Sequence, residues 1–253
     1  MGPGGAVRRE VEAIRRRLRS AERRTPEGLR RTARGAARGR GFRHGLRVAR
    51  ALWAGGGRGE RTLAVLYLSR FHRAFRASHW GEFKAWVAES PGDEQADLVA
   101  TLLLGRLVLR DRAWCRVLRH WARSGSVRER RAAAMALLPR TRRMGDAEAA
   151  LALCEGLMRD RSPSVREAVA ALLREARSAD PSLAGPFLAR WRRSVDRSTA
   201  LDRRRPPAAD RGTSSAPTCG PAGGRGASRA GAGGRPGRGR RTRRPSPGGT
   251  TAG

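Results

Sequence analysis

Between about residues 45 and 195 every apolar segment recurs at helical spacing, with only short turn signals between segments. LAVLYLSRF, FKAWV, ADLVATLLLGRLVL, AWCRVLRHWA, RRAAAMALL, ALALCEGLM, VREAVAALLREA and LAGPFLARW each gather their apolar side chains on one face of an α-helix. None alternates apolar and polar residues as a half-buried strand would. An amphipathic helix cannot bury its stripe alone, so a succession of them must stack helix on helix. The pattern predicts an all-α fold.

The tetrapeptide SVRE sharpens that expectation. It occurs at Ser126–Glu129 and again at Ser164–Glu167, 38 residues apart, each time opening an apolar stretch. In S-V-R-E the serine hydroxyl can accept from the third residue's amide while the glutamate reaches back, a capping box that marks a helix start. Each box is worth about 1 kcal/mol in fixing that start. After the second copy Val165, Ala168, Val169, Leu172, Leu173 and Ala176 share one face, and Asp180-Pro181 ends the helix. Upstream of each copy lies another amphipathic helix. Helix, turn and capped helix with this period predict a HEAT-like helical-repeat solenoid. Ser90-Pro91, 72 residues before Ser162-Pro163, marks an earlier and more divergent unit. In such a stack the second helices line a concave face.

Two regions flank this domain of residues 45–198. Residues 1–44 form a basic helix, with Val7, Val11, Ile14 and Leu18 on one stripe, then a boundary at Thr25-Pro26 and a Gly/Arg-rich linker or weak helix. From 199 to 253 large apolar residues all but vanish, which predicts a disordered Arg/Gly/Pro-rich tail. Residues 201–253 hold twelve Arg against two Asp, suited either to non-specific phosphate contacts or to plain solvation.

The chain carries a formal net charge of +33, nearly all of it arginine, with Lys84 the single lysine. Such a field draws polyanions, and nucleic acid is the natural partner because its phosphates repeat along its length. A genome rich in Arg, Ala and Gly codons accounts for part of the same excess.

Other chemistries find little support. Cys115, Cys154 and Cys219 are odd in number and far apart, so neither a disulfide framework nor a zinc pattern emerges. Cys115 and Cys154 read as small buried hydrophobes. His44, His72, His79 and His120 have no partners at ligand spacing, and there is no phosphate loop, dinucleotide fingerprint or nucleophile motif. No metal or cofactor is expected. The longest apolar runs, TLAVLYL and LVATLLLG, are too short to span a bilayer, and the N-terminus lacks an apolar core behind its charges. A monomeric, cytoplasmic, nucleoid-associated protein is expected, with no membrane contact.

Acids are scarce, which makes SPGDEQAD conspicuous. Asp93 and Glu94 suit the first turn of a helix. Asp97 follows a turn later, directly before an apolar run, and faces either solvent or the groove. Arginines crowd the junction of a first helix with its capped second helix: Arg119, Arg123, Arg128, Arg130 and Arg131, then Arg140, Arg142 and Arg143. Helix N-termini beside arginines suit phosphate binding, although a solvated basic face reads the same way.

With these residues in place, the stretch from about 45 to 195 resembles the bacterial DNA alkylation repair glycosylases of the AlkD type, which are HEAT-like solenoids. The similarity runs through ALWAGGGRGERTLAVLYL, KAWVAESPGDEQADLVATLLLGRLV, VLRHWARSGSVRERRAAAMALL and MRDRSPSVREAVAALLREARSADP. The resemblance implies a protein that binds duplex DNA and releases cationic N3- or N7-alkylated purines by hydrolysing the N-glycosidic bond. In that family an Asp stabilises the developing charge on the sugar and two Trp pack near the lesion, which is not flipped out, while arginines hold phosphates. Carried over, Asp97 takes the catalytic position and Arg130 or Arg131 a phosphate. Arg123, Arg128, Arg166 and Arg174 complete the expected DNA-binding set. Two positions depart from the family pattern, with Asp93 and Ala171 standing where it has Trp. Aromatic faces contribute about 0.5–2 kcal/mol each against a cation, so losing both implies an enzyme roughly 10- to 1000-fold weaker, or an inactive one. Trp80, Trp86, Trp114 and Trp121 could stand in for the missing pair, although aromatics at helical spacing more often pack in the core. A non-catalytic HEAT-repeat DNA-binding module, or a scaffold for an acidic protein, remains the alternative.

Overall fold

The computed structural model describes residues 3–19 and 25–204, with side chains described over 4–19 and 25–193. Among the described residues all regular structure is helical and no strand occurs. In chain order the helices are α1 (Pro3–Arg19), α2 (Pro26–Ala37), α3 (Phe42–Ala54), α4 (Arg58–Leu68), α5 (Trp80–Glu89), α6 (Asp93–Val99), α7 (Gly105–Arg110), α8 (Trp114–Trp121), α9 (Val127–Met144), α10 (Ala147–Glu155), α11 (Pro163–Ala179) and α12 (Pro181–Arg204). No described helix is long and apolar enough to cross a membrane.

The fold is an all-α helical repeat. Helices α4, α6, α9 and α11 begin at Arg58, Asp93, Val127 and Pro163, so at intervals of 35, 34 and 36 residues. Each packs against the next in that order, and α8, α10 and α12 form a second row. The apolar stripes converge on one core from Val11 to Phe187. Ion pairs repeat at the same interval. Arg50 with Glu82, Arg58 with Glu94, Arg112 with Glu148, Arg142 with Glu175 and Arg190 with Glu155 join residues 32 to 36 apart. Such exposed pairs stabilise by only about 0.2–1 kcal/mol each, so they select the stacking register more than they hold the fold.

The two SVRE copies are not equivalent. Ser126 caps α9, its Oγ accepting from the Glu129 amide at 3.4 Å. The glutamate does not reach back: Lys84 Nζ lies 3.1 Å from its carboxylate, and the Ser126 amide donates to Ser124 Oγ instead. In the second copy the capping box expected at Ser164 is absent. Helix α11 starts earlier, with Ser162 at the cap and Pro163 in the first turn, where a missing N–H and a preset φ cost nothing. Ser164 therefore lies inside the helix, and its hydroxyl donates to the Asp93 carboxylate of α6. The equivalent of Ser126 is Ser162, 36 residues on.

At the N-terminus the expected linker is partly helix α2, capped by Thr25 Oγ1 accepting from the Gly28 amide at 3.1 Å. Val11 and Ile14 of α1 and Leu29 and Ala33 of α2 are buried in the same core as α3 and α4. Position 44 falls inside α3. Helix α12 runs on to Arg204, and the tail expected to be disordered otherwise lies outside the described residues, as does Cys219.

Helices α6 and α7 are one rod joined by a π-helical turn, Ala100–Leu104, in which the Gly105 amide donates to the Ala100 carbonyl five residues back. Gly105 is required there, since a Cβ would stand 2.8 Å from Pro139 Cγ of α9. Such turns shift the faces of a helix and recur at functional positions.

Candidate functional site

A groove of about 1290 Å³ opens between α1 and α2 on one side and α6 with its π turn on the other, over α4. Asp97, Leu98, Thr101 and Leu102 line one wall, joined by Met135 of α9.

Asp97 owes its surroundings to the repeat. Counting five residues from the caps Gly92, Ser126 and Ser162 reaches Asp97, Arg131 and Glu167, so the three form a column across successive helices. Arg131 Nε and Nη2 donate to the two Asp97 carboxylate oxygens at 2.9 and 2.7 Å. Its Nη1 donates to Glu167 at 2.9 Å and to the Ser164 carbonyl, with Asp93 at 3.7 Å. The Arg131 side chain is 8 % exposed and Asp97 17 %, against 73 % for Glu167. Burial pushes the Asp97 carboxyl up, and Asp93 and Glu167 add to that, outweighing the pull of Arg131 in the other direction. Arg131 is in turn held more firmly protonated, chiefly by its bonds to Asp97.

Three carboxylates around one guanidinium leave two negative charges over. In a chain of net charge +33 this is a cluster of surplus negative charge, and of its carboxylates Asp97 lines the groove. A carboxylate withdrawn from water acts strongly on charge that develops next to it.

A family model for the DNA alkylation repair enzymes matches residues 25–205, from the cap of α2 past the end of α12. The chain belongs to that family. A search of the curated proteins returned no match. Membership assigns a DNA alkylation repair role, and it covers the whole Asp97 column while α1 precedes the matched span.

In this alkylation repair protein the arginines expected on DNA divide into two groups. Arg131 is enclosed by the carboxylates, and Arg130 binds Asp160 at 2.6 Å and the carbonyls of Ser124 and Gly125. Arg128 donates to the Ala88 carbonyl at 2.6 Å, tying α9 to α5. Arg123, Arg166 and Arg174 are exposed. Asp93 is drawn to Ser164, and Ala171 is half-buried on α11.

No aromatic side chain lines the groove among the described residues. The tryptophans pack elsewhere: Trp53 stacks on Trp86 at 4.4 Å and Trp80 on Trp114 at 4.1 Å, with Trp121 beside them. Cys115 and Cys154 are buried thiols, and burial pushes Cys154 up to about 12. No group of side chains among the described residues could hold a metal ion.

Reading the sequence singled out Asp97 but missed Glu167 and the groove-lining arginines of α1 and α2. Counting from the helix caps finds Glu167, once the start of α11 is placed at Pro163.

Proposed function

We propose that this protein hydrolyses the N-glycosidic bond of cationic N3- or N7-alkylated purines in duplex DNA, with Asp97 as the catalytic carboxylate. The observation that carries the reading is the surplus of negative charge around Asp97 in an otherwise strongly basic chain. Alkylation has already placed a positive charge on the base, so no acid is needed to protonate the leaving group. As the bond from the sugar C1′ to the base nitrogen breaks, its electron pair neutralises the base and leaves an oxocarbenium ion. Asp97 stabilises that ion. Water then adds to C1′ and gives up its proton to a carboxylate and on to solvent, leaving an abasic sugar and a neutral alkylpurine.

One carboxylate at ~5 Å from the developing charge contributes about 3 kcal/mol with an effective dielectric of ~20. That is roughly 10²-fold in rate. Arg131 orients Asp97 through both oxygens, and Leu98, Leu102 and Met135 offer an aliphatic surface in place of aromatic walls.

A second reading, a non-catalytic DNA-binding helical repeat of the HEAT type, draws on the same bidentate bond, because both Asp97 oxygens are already engaged. Base release from DNA carrying N7-methylguanine or N3-methyladenine separates the two. Release by the wild type and its loss in Asp97→Asn supports the glycosylase. Salt-sensitive binding without release by the wild type supports the second reading.

A further inference from the structure

The groove has a second wall that the Asp97 chemistry does not use. Helix α2 turns Leu29, Thr32 and Ala33 into the core, and Arg30 and Arg34 flank that buried stripe and line the groove opposite Asp97. They are one helical turn apart, about 6 Å along the axis. Both are exposed, and neither has an ion pair among the described residues. Of their neighbours, Arg15 is committed to Glu60 and Glu12, Arg31 to Glu27 and Arg40 to Glu10, while Arg19 and Arg70 line the same groove beside them.

The wall is also firmly mounted. Arg15 grips both oxygens of Glu60 on α4, at 3.1 and 3.0 Å. Glu10 of α1 accepts from the Tyr67 hydroxyl at 2.8 Å and pairs with His44 at 2.8 Å. Helix α2 itself is seated on α4 through its buried Leu29, Thr32 and Ala33, and guanidiniums on a fixed helix lose less freedom on meeting a phosphate than they would on a mobile arm.

The groove thus brings together Asp97, with surplus negative charge around it, and two guanidiniums that have no ion pair among the described residues. An alkylated nucleotide carries the matching pair of charges, a cationic base and an anionic phosphate. We propose that Arg30 and Arg34 form a phosphate rail that seats the lesion-bearing DNA strand across the groove from Asp97. This rests on the reading of the groove as the DNA site and adds which wall holds the backbone.

The test uses the full chain and a duplex oligonucleotide containing N7-methylguanine, titrated at several salt concentrations. In Arg30→Gln/Arg34→Gln the slope of log affinity against log salt should become shallower by about 1.8, since each lost phosphate contact removes ~0.9. Arg30→Lys/Arg34→Lys should restore most of the slope. Arg43→Gln/Arg47→Gln on α3, exposed and outside this groove, should change it by less than half as much. Thermal melting of each variant checks that the fold is intact. An unchanged slope in the Arg30/Arg34 Gln variant overturns the rail, and so does an equal change in the α3 control. A wild type that binds DNA and shows the rail but releases no base overturns the glycosylase reading alone. A wild type that does not bind DNA overturns both.

Discussion

Two regions of the same repeat are built on opposite chemistry. On the first helices, tryptophans stack pairwise between neighbours, Trp53 on Trp86 and Trp80 on Trp114, largely out of water. On the second helices, the column Asp97, Arg131, Glu167 joins α6, α9 and α11 through charge. The aromatic row gains from burying area. The ionic column loses solvation for each charge it withdraws, and a buried ion pair often does no better than apolar side chains of the same size. Stacking alone would be served by a second apolar row. The ionic column makes sense where a carboxylate must be held still beside a groove.

The largest effect that would test this contrast comes from breaking the column at its centre. Arg131→Ala leaves Asp97 half-withdrawn from water without its partner, and stability in urea should fall by about 3–5 kcal/mol. A loss below about 1 kcal/mol, the range of an exposed pair, would show that the column is slack. Trp86→Ala should cost about 3–5 kcal/mol as well, by opening a cavity against Trp53. Here, however, the rate of base release per folded molecule should be unchanged, and a rate that tracked the stability loss would dissolve the distinction between the rows.

Next comes Asp97→Asn, which should lower base release roughly 10²-fold while DNA affinity stays within a few-fold. Equal losses in both would make Asp97 a binding residue rather than a catalytic one.

The pH dependence of folding offers a smaller effect of definite sign. The Arg130 guanidinium holds the Asp160 carboxyl below the usual range, and Arg142 does the same for Glu175. Their folded-state values lie below the unfolded ones, so their contribution is present above about pH 4 and is lost as the pH falls through the folded values. Asp97 is raised by burial, so its contribution has the opposite sign and weakens stability as the pH rises through its titration. Acid unfolding of Asp160→Asn should therefore be less steep than that of the wild type, whereas Asp97→Asn should not share that flattening. Identical profiles for the two variants would contradict the assignment. Smallest of all, Ser164→Ala removes an exposed hydrogen bond to Asp93 and should cost no more than about 1 kcal/mol.

Much of the fold was legible because helical periodicity is local. The stripes that predicted helices at Val165–Ala176 and in the apolar run after Asp97 are the stripes that are buried. The repeated SVRE misled by the same token. Its spelling is identical, but Pro163 starts α11 ahead of Ser164, so the second copy enters the column as a partner of Asp93 and Arg131 instead of capping a helix. The roles of Arg130 and Arg131 were hidden for a related reason, since nothing adjacent in the chain reveals which arginine faces a carboxylate 30 or 34 residues away.

The sequence by itself determined an all-α repeat, an excess of positive charge and one suspicious acid before an apolar run, all of which follow from composition and spacing within a single helix. Only the tertiary structure decided which charges cancel. Stacking at intervals of 34 to 36 residues brought Asp97, Arg131 and Glu167 into line and left Arg30 and Arg34 with no ion pair among the described residues. Charge interactions depend on distance and burial, and the stacking of the helices sets both.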